Sequence, residues 1–450
     1  MGCRMTRLEM IPADKATVVI TGARLLDPVE GLDVTAELLI VDGVVAQIGD
    51  SVERPEGARI VDGSRCTVLP GLVDPHVHLR VPGQEYKEDC ATGSASGAAG
   101  GYTTILSMPN TAPTIDTGTT LEAALDRARE MAVIQTGFLA AVSMDRAGES
   151  LTEMRDLAAR GAAGFTDDGS PIASARLMRR ALQYARPLDL PIALHEEEPT
   201  LTKGGHMHEG AISAKLGLGG WPGIAETLMV ARDIRLAEQE DARIHLQHIS
   251  IRESIEEIAR GRERGVRVSS EASPHHLVLT DASVRTLSGN FKMNPPLASD
   301  DDRQALIDGL RDGIVDCIAT DHAPHAVHEK EVPFEAAAFG VTGLETALPI
   351  LIQELVEPGH VPLATILRAM TEGPCNAFDL ERPALRVGAP ANLAVWDLEQ
   401  TWKVGDKPFK SKSANSCFIG RKVKGRCLMT ISGGQLAHDE MDAKGLGVVA

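Results

Sequence analysis

The sequence predicts an α/β fold, a (β/α)8 barrel of the TIM type with a small β domain formed from both chain ends. Three observations predict it. Eight short apolar, β-branched runs recur between residues 72 and 323. Amphipathic stretches of helical period separate most of them, the alternation expected of parallel βα units. Turn-broken extended runs fill the chain before about residue 70 and return after about residue 384. The expected division is therefore 1–70 and 385–450 for the two parts of the β domain and 71–384 for the barrel. An open doubly wound sheet is the alternative arrangement of the same alternation.

In chain order, VVITGARLLD, AELLIVDGVVAQIG and ARIVDG, between Ala16 and Leu69, read as a small antiparallel β unit broken by Gly and Asp turns. The eight barrel runs are LVDPHVHL (72–79), TTILSMP (103–109), TGFLAAVS (136–143), AGFTDD (163–168), PIALHEE (191–197), IHLQHIS (244–250), VRVSSEA (266–272) and VDCIATDHA (315–323). Helices are expected over LEAALDRAREMA (121–132), MRRALQYA (178–185) and AETLMVARDIRLAEQE (225–240). Two more follow Asp321, at 344–356 and 363–372, before the β-like ANLAVWDL at 391–398. Long charge runs, repeats and low-complexity tracts are absent from the sequence.

Composition narrows the function classes. Across 450 residues, 45 Lys and Arg face 63 Asp and Glu, a formal charge of -18, and aromatic residues make up 3%. An extended nucleic-acid surface with stacking platforms is not expected from that balance. The seven cysteines are scattered, with no CxxC pair, which argues against a disulfide framework or thiolate zinc and for a reducing, cytoplasmic setting. No apolar run reaches the roughly 18 residues that span a bilayer. MGCRMT fits the loose myristoylation pattern, and Met5 is an alternative start.

The chemistry gathers at strand ends. His76 and His78, two apart on a predicted strand, face the same way. His195, His248 and Asp321 each fall at the carboxyl end of a predicted strand, and in a barrel those ends converge on one rim, where the active site lies. Any one of these residues reads equally well as a buried histidine or a helix cap. Five converging positions read as ligands for zinc or a similar divalent ion. A two-metal site needs an anionic bridge between the repelling ions. A carbamylated lysine on the fourth strand is ruled out, because no lysine occurs between Lys87 and Lys203. The end of that run offers Asp168 as the bridge, with Asp167 as the alternative, and successive strand residues face opposite ways.

The segments VDPHVHLRVPGQEYKED, TTILSMPNT, GFTDDG, EASPHHL, KMNPPL and ATDHAPH resemble the signature segments of the bacterial, class I type of dihydroorotase in the amidohydrolase superfamily, which uses a bridging aspartate. The resemblance spans roughly 71–345, with GAPANLAVWD as a weaker match beyond it. It implies a barrel with one or two Zn2+ per subunit and reversible interconversion of L-dihydroorotate and N-carbamoyl-L-aspartate in pyrimidine synthesis. The family's metal ligands fall on His76, His78, Asp168, His195, His248 and Asp321, and its substrate contacts on Arg80, Asn110, Asn294, His325, Phe339 and Gly340.

On this reading Arg80, two residues beyond His78 on the same strand face, holds the substrate carboxylate with help from Asn110. The metal makes hydroxide available and polarises the ring carbonyl, and Asp321 moves the proton as general base and acid. Val81 and Met293 depart from the family pattern without removing a ligand. His275 and His276 read as supporting residues, and HEKEVPF (328–334) as a mobile lid or an exposed loop. The competing readings are allantoinase, a dihydropyrimidinase or hydantoinase, and a noncatalytic scaffold for aspartate transcarbamoylase. Expected partners are a small-molecule substrate, further copies of the chain in a homo-oligomer and aspartate transcarbamoylase, with neither nucleic acid nor membrane.

Overall fold

The computed structural model describes residues 6–441. Cys3, Met5 and most of the MGCRMT segment lie outside the described residues. The first strands are β1 (Val18–Asp27), β2 (Leu32–Val41), β3 (Val44–Gly49), β4 (Arg59–Asp62) and β5 (Thr67–Pro70). Near the other end lie β15 (Leu393–Lys403), β16 (Lys422–Ser432) and β17 (Gln435–Asp439). These eight strands share one sheet, in the order β17-β16-β15-β5-β1-β2-β3 with β4 also on β1. The two ends meet where β15 runs antiparallel to β5, Leu393 opposite Pro70 and Trp396 opposite Thr67.

The N-terminal strands were expected to be purely antiparallel, and they are not. β1 pairs with β2 antiparallel but with both β4 and β5 in parallel. The connection after β3 crosses back to the other edge of β1, and a crossing connection gives parallel pairing. Fully buried Asp27 ties this region to the C-terminal part. Its Oδ1 accepts from the amides of Val29 (3.0 Å) and Glu30 (3.2 Å), and its Oδ2 accepts from the amide of Leu385 (3.0 Å).

Between these ends run two parallel sheets. One holds β6 (Leu72–Val77), β7 (Tyr102–Ser107) and β8 (Gln135–Phe138). The other holds β9 (Ile192–Leu194), β12 (Arg243–Leu246), β13 (Arg267–Ala272) and β14 (Cys317–Ile318). A separate short parallel pair, β10 (Met207–His208) and β11 (Gly220–Trp221), lies in the excursion after β9. Single backbone bridges join the two larger sheets, Ala140 to Phe165 and Phe165 to Ile192 at one seam, Val77 to His322 at the other.

Residues 163–168 were expected as a strand, and backbone bonds tie 163–166 to both neighbours, the amides of Ala163 and Thr166 to the carbonyls of Phe138 (2.9 Å) and Ala140 (2.8 Å) and that of Phe165 to Pro191 (3.1 Å). The ladder ends at Asp167, whose Oδ1 accepts from the amides of Val142 (2.9 Å) and Ser143 (3.0 Å). Helices Gly118–Met131, Ala175–Ala185, Ile224–Glu240, Arg252–Glu263 and Asp300–Arg311 occupy the connections. The expected helix at 344–356 starts at Ala347, with Pro349 in its first turn, and finishes as a π-helical turn over Ile352–Val356.

The β sheet also feeds the core of the parallel sheets. Trp396 is 1% exposed and packs within the same apolar cluster as Leu72, Ile105 and Phe138. Gly101 makes room for it, because a Cβ there would sit 2.5 Å from the indole ring, and its φ of +79° suits glycine. The six described cysteines are buried. Among the described residues no helix is long and apolar enough to cross a membrane.

Asp27→Ala should strand three amides near the junction of the chain ends. A loss of about 1–3 kcal/mol in unfolding free energy is expected from urea denaturation. An unchanged midpoint would mean that other contacts hold the ends together.

Candidate active site

The carboxyl ends of the parallel segments converge on one buried cluster. Asp168 lies at its centre, with Oδ1 at 3.6 Å from His76 Nε2, 3.8 Å from His195 Nδ1 and 3.7 Å from His248 Nε2. Its Oδ2 is 3.6 Å from His78 Nε2. Asp167 points elsewhere, binding Ser143 and the neighbouring backbone. Asp321 reaches in from the far side, 2.9 Å from His78 Nε2 and 3.5 Å from His76 Nε2.

Two groups able to hold a metal emerge, His76–His78–Asp168 and Asp168–His195–His248, the donor atoms of each within 4.8 Å of one another. They share Asp168. The donor set fits a divalent cation on one further ground. Among the described residues His76 Nε2 is buried without a hydrogen-bond partner, in the middle of carboxylates too distant to bond it directly.

The imidazoles are aimed from behind. His76 Nδ1 lies 2.6 Å from Glu271 Oε1, His78 Nδ1 2.8 Å from Asn110 Oδ1 and His195 Nε2 3.0 Å from Glu197 Oε2. An acceptor at the outer nitrogen fixes the proton there and turns the other nitrogen's lone pair inward, as metal-binding histidines require. Glu271 also binds His245, through its other oxygen at 2.9 Å. Buried Asp74 holds the strand before Asp321, accepting from the Thr320 amide (3.1 Å) and hydroxyl (2.6 Å).

Electrostatics follow from this packing. Burial pushes the Asp168 carboxyl up, but the imidazoles around it outweigh burial and hold it well below the usual carboxylate range. Burial likewise opposes ionisation of Asp321, yet the His78 hydrogen bond and nearby His76 hold it at about 2. His76 shows the converse: burial lowers its pKa, and Glu271, Asp168 and Asp321 raise it to about 10. Such a strongly negative environment at a nitrogen is also the environment that attracts a metal cation.

Beside the cluster opens a cavity of about 250 Å3, lined by Arg80, Asn110, Asn294, His325, Phe339 and Gly340 along with the cluster residues. A larger cleft of about 820 Å3 lies at the opposite strand ends, near Arg243 and Arg267, and contains none of the site residues. Arg80 does not continue the strand as expected. The strand stops at Val77, and Arg80 takes a φ of +61°, which swings its side chain over the cavity floor. Its Nε donates to the Pro324 carbonyl (3.3 Å), and among the described residues it has no carboxylate ion pair.

Asn110 does double duty, since its Nδ2 also donates to Asp168 Oδ2 (2.9 Å). Asn294 Nδ2 approaches Glu197 Oε2 (3.2 Å). His325 Nε2 lies 2.7 Å from the Phe339 carbonyl, and burial with nearby Arg80 brings its pKa down to about 3, so it is neutral at physiological pH. His276 binds the Pro295 carbonyl at 2.9 Å, and His275 is buried beside it, outside both metal-binding groups. The segment 328–334 is anchored by buried Lys330, whose Nζ donates to the carbonyls of Lys292 (3.2 Å), Ala338 (2.7 Å) and Gly340 (2.8 Å).

Glu271, Glu197 and Asp74 escaped the sequence reading. A carboxylate inside the apolar run VRVSSEA, three residues before PHH, was the one available signal for Glu271.

Fold and site together define a cyclic amidohydrolase. The profile described as "Dihydro-orotase-like" matches residues 66–254. The chain is 44% identical over 423 residues to a dihydroorotase of Anaeromyxobacter dehalogenans (strain 2CP-C), covering 94% of this chain and 98% of that one. It is 43% identical over 421 residues to a dihydroorotase of Geobacter sp. (strain M21), covering 94% and 99%. Among solved structures it is similar to the L-hydantoinase (dihydropyrimidinase) of Arthrobacter aurescens, with a TM-score of 0.85, 25% identity and coverage of 94% and 96%. It also resembles the dihydropyrimidinase of Brevibacillus agri NCHU1002 in fold, with a TM-score of 0.82 at 22% identity over 94% and 95%. The chain belongs to the dihydroorotase family.

Glu271→Gln should weaken divalent-metal affinity about 10–100-fold, measured by competition with a chromogenic chelator. Unchanged affinity would reduce Glu271 to a core-filling residue.

Proposed function

We propose that the chain opens and closes the ring of dihydroorotate, interconverting L-dihydroorotate and N-carbamoyl-L-aspartate in cytoplasmic pyrimidine synthesis. The scaffold is read as a closed (β/α)8 barrel, supported by the seam bridges at Phe165 and at Val77–His322. One observation carries the substrate choice. A buried guanidinium without a carboxylate partner, Arg80, shares a cavity with the imidazole–carboxylate cluster. Burying an unpaired charge is costly, so the site is suited to a ligand that brings an anion. Dihydroorotate carries a carboxylate beside its cyclic amide. Dihydrouracil, hydantoin and allantoin do not.

His76, His78, Asp168, His195, His248 and Asp321 are the residues assigned to hold one or two zinc ions. Bound there, zinc supplies a Lewis acid for the ring carbonyl and lowers the pKa of water. Arg80 pairs with the substrate carboxylate and Asn110 and Asn294 flank it, which fixes the ring in one orientation over the cluster. His325 remains a neutral side chain, and Phe339 with Gly340 closes the opposite side.

Asp321 is ionised at neutral pH and faces the cavity, so it serves as the base. It takes a proton from the attacking water as the new C–O bond forms at the ring carbonyl carbon. It returns that proton to the ring nitrogen as the C–N bond breaks. In the other direction the carbamoyl nitrogen gives its proton to Asp321 and attacks the carboxylate carbon, the ring closes as the C–O bond breaks, and the departing oxygen leaves as water with the proton from Asp321 and one taken up from solvent. Assembly with aspartate transcarbamoylase or into a homo-oligomer is compatible with this activity and is not needed for it.

Asp321→Asn should lower turnover in both directions by about 10²–10⁴-fold while circular dichroism stays as in wild type. Near-normal activity would overturn the assignment. Arg80→Ala should raise KM for dihydroorotate by about 10–100-fold, the loss of one charge-assisted pair, with a smaller change in kcat. A parallel assay with dihydrouracil, hydantoin and allantoin tests the substrate reading. Faster turnover of any of these than of dihydroorotate would reject it.

A further inference from the structure

The hairpin between β15 and β16 does not turn tightly. Its connection, residues 404–421, leaves the β sheet and runs across to the mouth of the catalytic cavity. Cys417 and Phe418 anchor it by packing in one apolar cluster with Met293 and Val341, the neighbours of Asn294 and Gly340. Buried Asn415 lies at the point of contact. Its Oδ1 accepts from the amide of His325 (3.0 Å), and its Nδ2 donates to the carbonyls of Ala323 (3.1 Å) and Gly340 (3.1 Å). Its backbone carbonyl accepts from the amide of Thr342 (3.1 Å).

These bonds tie two stretches that approach the cavity from different parts of the chain, 323–325 and 340–342. Both carry cavity-lining residues. The same strap also binds the segment that follows Arg80 in the chain, where the Ser413 hydroxyl donates to the Lys87 carbonyl (2.7 Å) and the Lys412 amide to Glu88 Oε1 (3.2 Å). None of its residues lines the cavity itself.

We propose that Asn415, contributed by the small β domain, is a positioning residue that sets the substrate side of the cavity by fixing His325 and Gly340 relative to each other. An amide is suited to the task. It offers one acceptor and two donors in a plane, whereas a carboxylate would face the two carbonyls with no hydrogen to share. Asn415 touches none of the groups proposed to bind metal, so its effect should fall on substrate binding and not on metal content.

The proposal rests on reading this cavity as the substrate pocket, and the test separates the two. Wild-type turnover of dihydroorotate checks the reading. Asn415→Ala should raise KM for dihydroorotate about tenfold while kcat stays within about threefold and metal content is unchanged. Amide hydrogen exchange without substrate should quicken in the variant across 323–343, which tests the strap even if turnover fails. A KM within about twofold of wild type, or unaltered exchange there, overturns the proposal. If Asn415→Ala does not fold, Asn415→Ser, whose hydroxyl keeps part of the bonding, is held to the same criteria. Failure of both to fold would make Asn415 a structural residue and also overturn it.

Discussion

Everything in the catalytic half of the molecule is arranged around one buried carboxylate, Asp168, set among four imidazoles. Buried charge is tolerated only when it is paired and hydrogen-bonded. The imidazoles supply the pairing on one side, and a second layer of acceptors, Glu271, Asn110 and Glu197, holds three of those imidazoles in the required orientation. That layer is itself bonded, Glu271 to His245 and Glu197 to Thr202 (2.5 Å) and Asn294. The network continues outward until it reaches backbone. It is this continuity, more than any single contact, that allows so much ionisable surface to be buried at the strand ends.

The backbone accommodates the cluster at a cost. Arg80, His248 and Asp321 all take positive φ, at +61°, +31° and +46°. For residues with a Cβ this region is sparsely populated, and such positions gather at functional sites where surrounding structure enforces them. Here the enforcement is visible for Asp321, since Asp74 grips Thr320 through both its amide and its hydroxyl. All three strained residues sit just past the end of a strand. The strands thus provide rigid placement up to the rim, and the last residue or two bend to aim a side chain inward.

Much of this could be read in the sequence because strand periodicity and barrel geometry are local rules. The HxH pair and the strand-end positions of His195, His248 and Asp321 needed only a period of two and the convergence of strand ends. The absence of lysine from 88–202 pointed to an aspartate at the fourth segment. Other features depended on contacts between residues far apart in the chain. The backbone ladder over 163–166 ends where the Asp167 carboxylate takes the amides of Val142 and Ser143. Parallel pairing of β1 with β4 and β5 depends on where a connection crosses, which propensity does not encode. Glu271 looks like any strand carboxylate until His76, 195 residues away, arrives beside it.

Fold similarity alone does not separate the possible substrates. A hydantoinase structure superposes with a TM-score of 0.85 at 25% identity, so the overall architecture is shared well beyond one specificity. What distinguishes one cyclic amide from another must lie where the scaffold is not regular. In this chain that is the wall built from residue 80, the turn at 294 and the stretches around 325 and 340, all beyond strand ends. The metal-compatible side is placed by strands and is rigid by construction. The opposite wall is made of loops, and its precision has to be imposed by side chains that bridge them: Lys330 on three carbonyls and Asn415 on two more groups of backbone. The eight-stranded sheet therefore does more than join the two chain ends. By sending a strap to the loop-built wall, it gives that side of the cavity a rigidity that its own irregular backbone cannot supply.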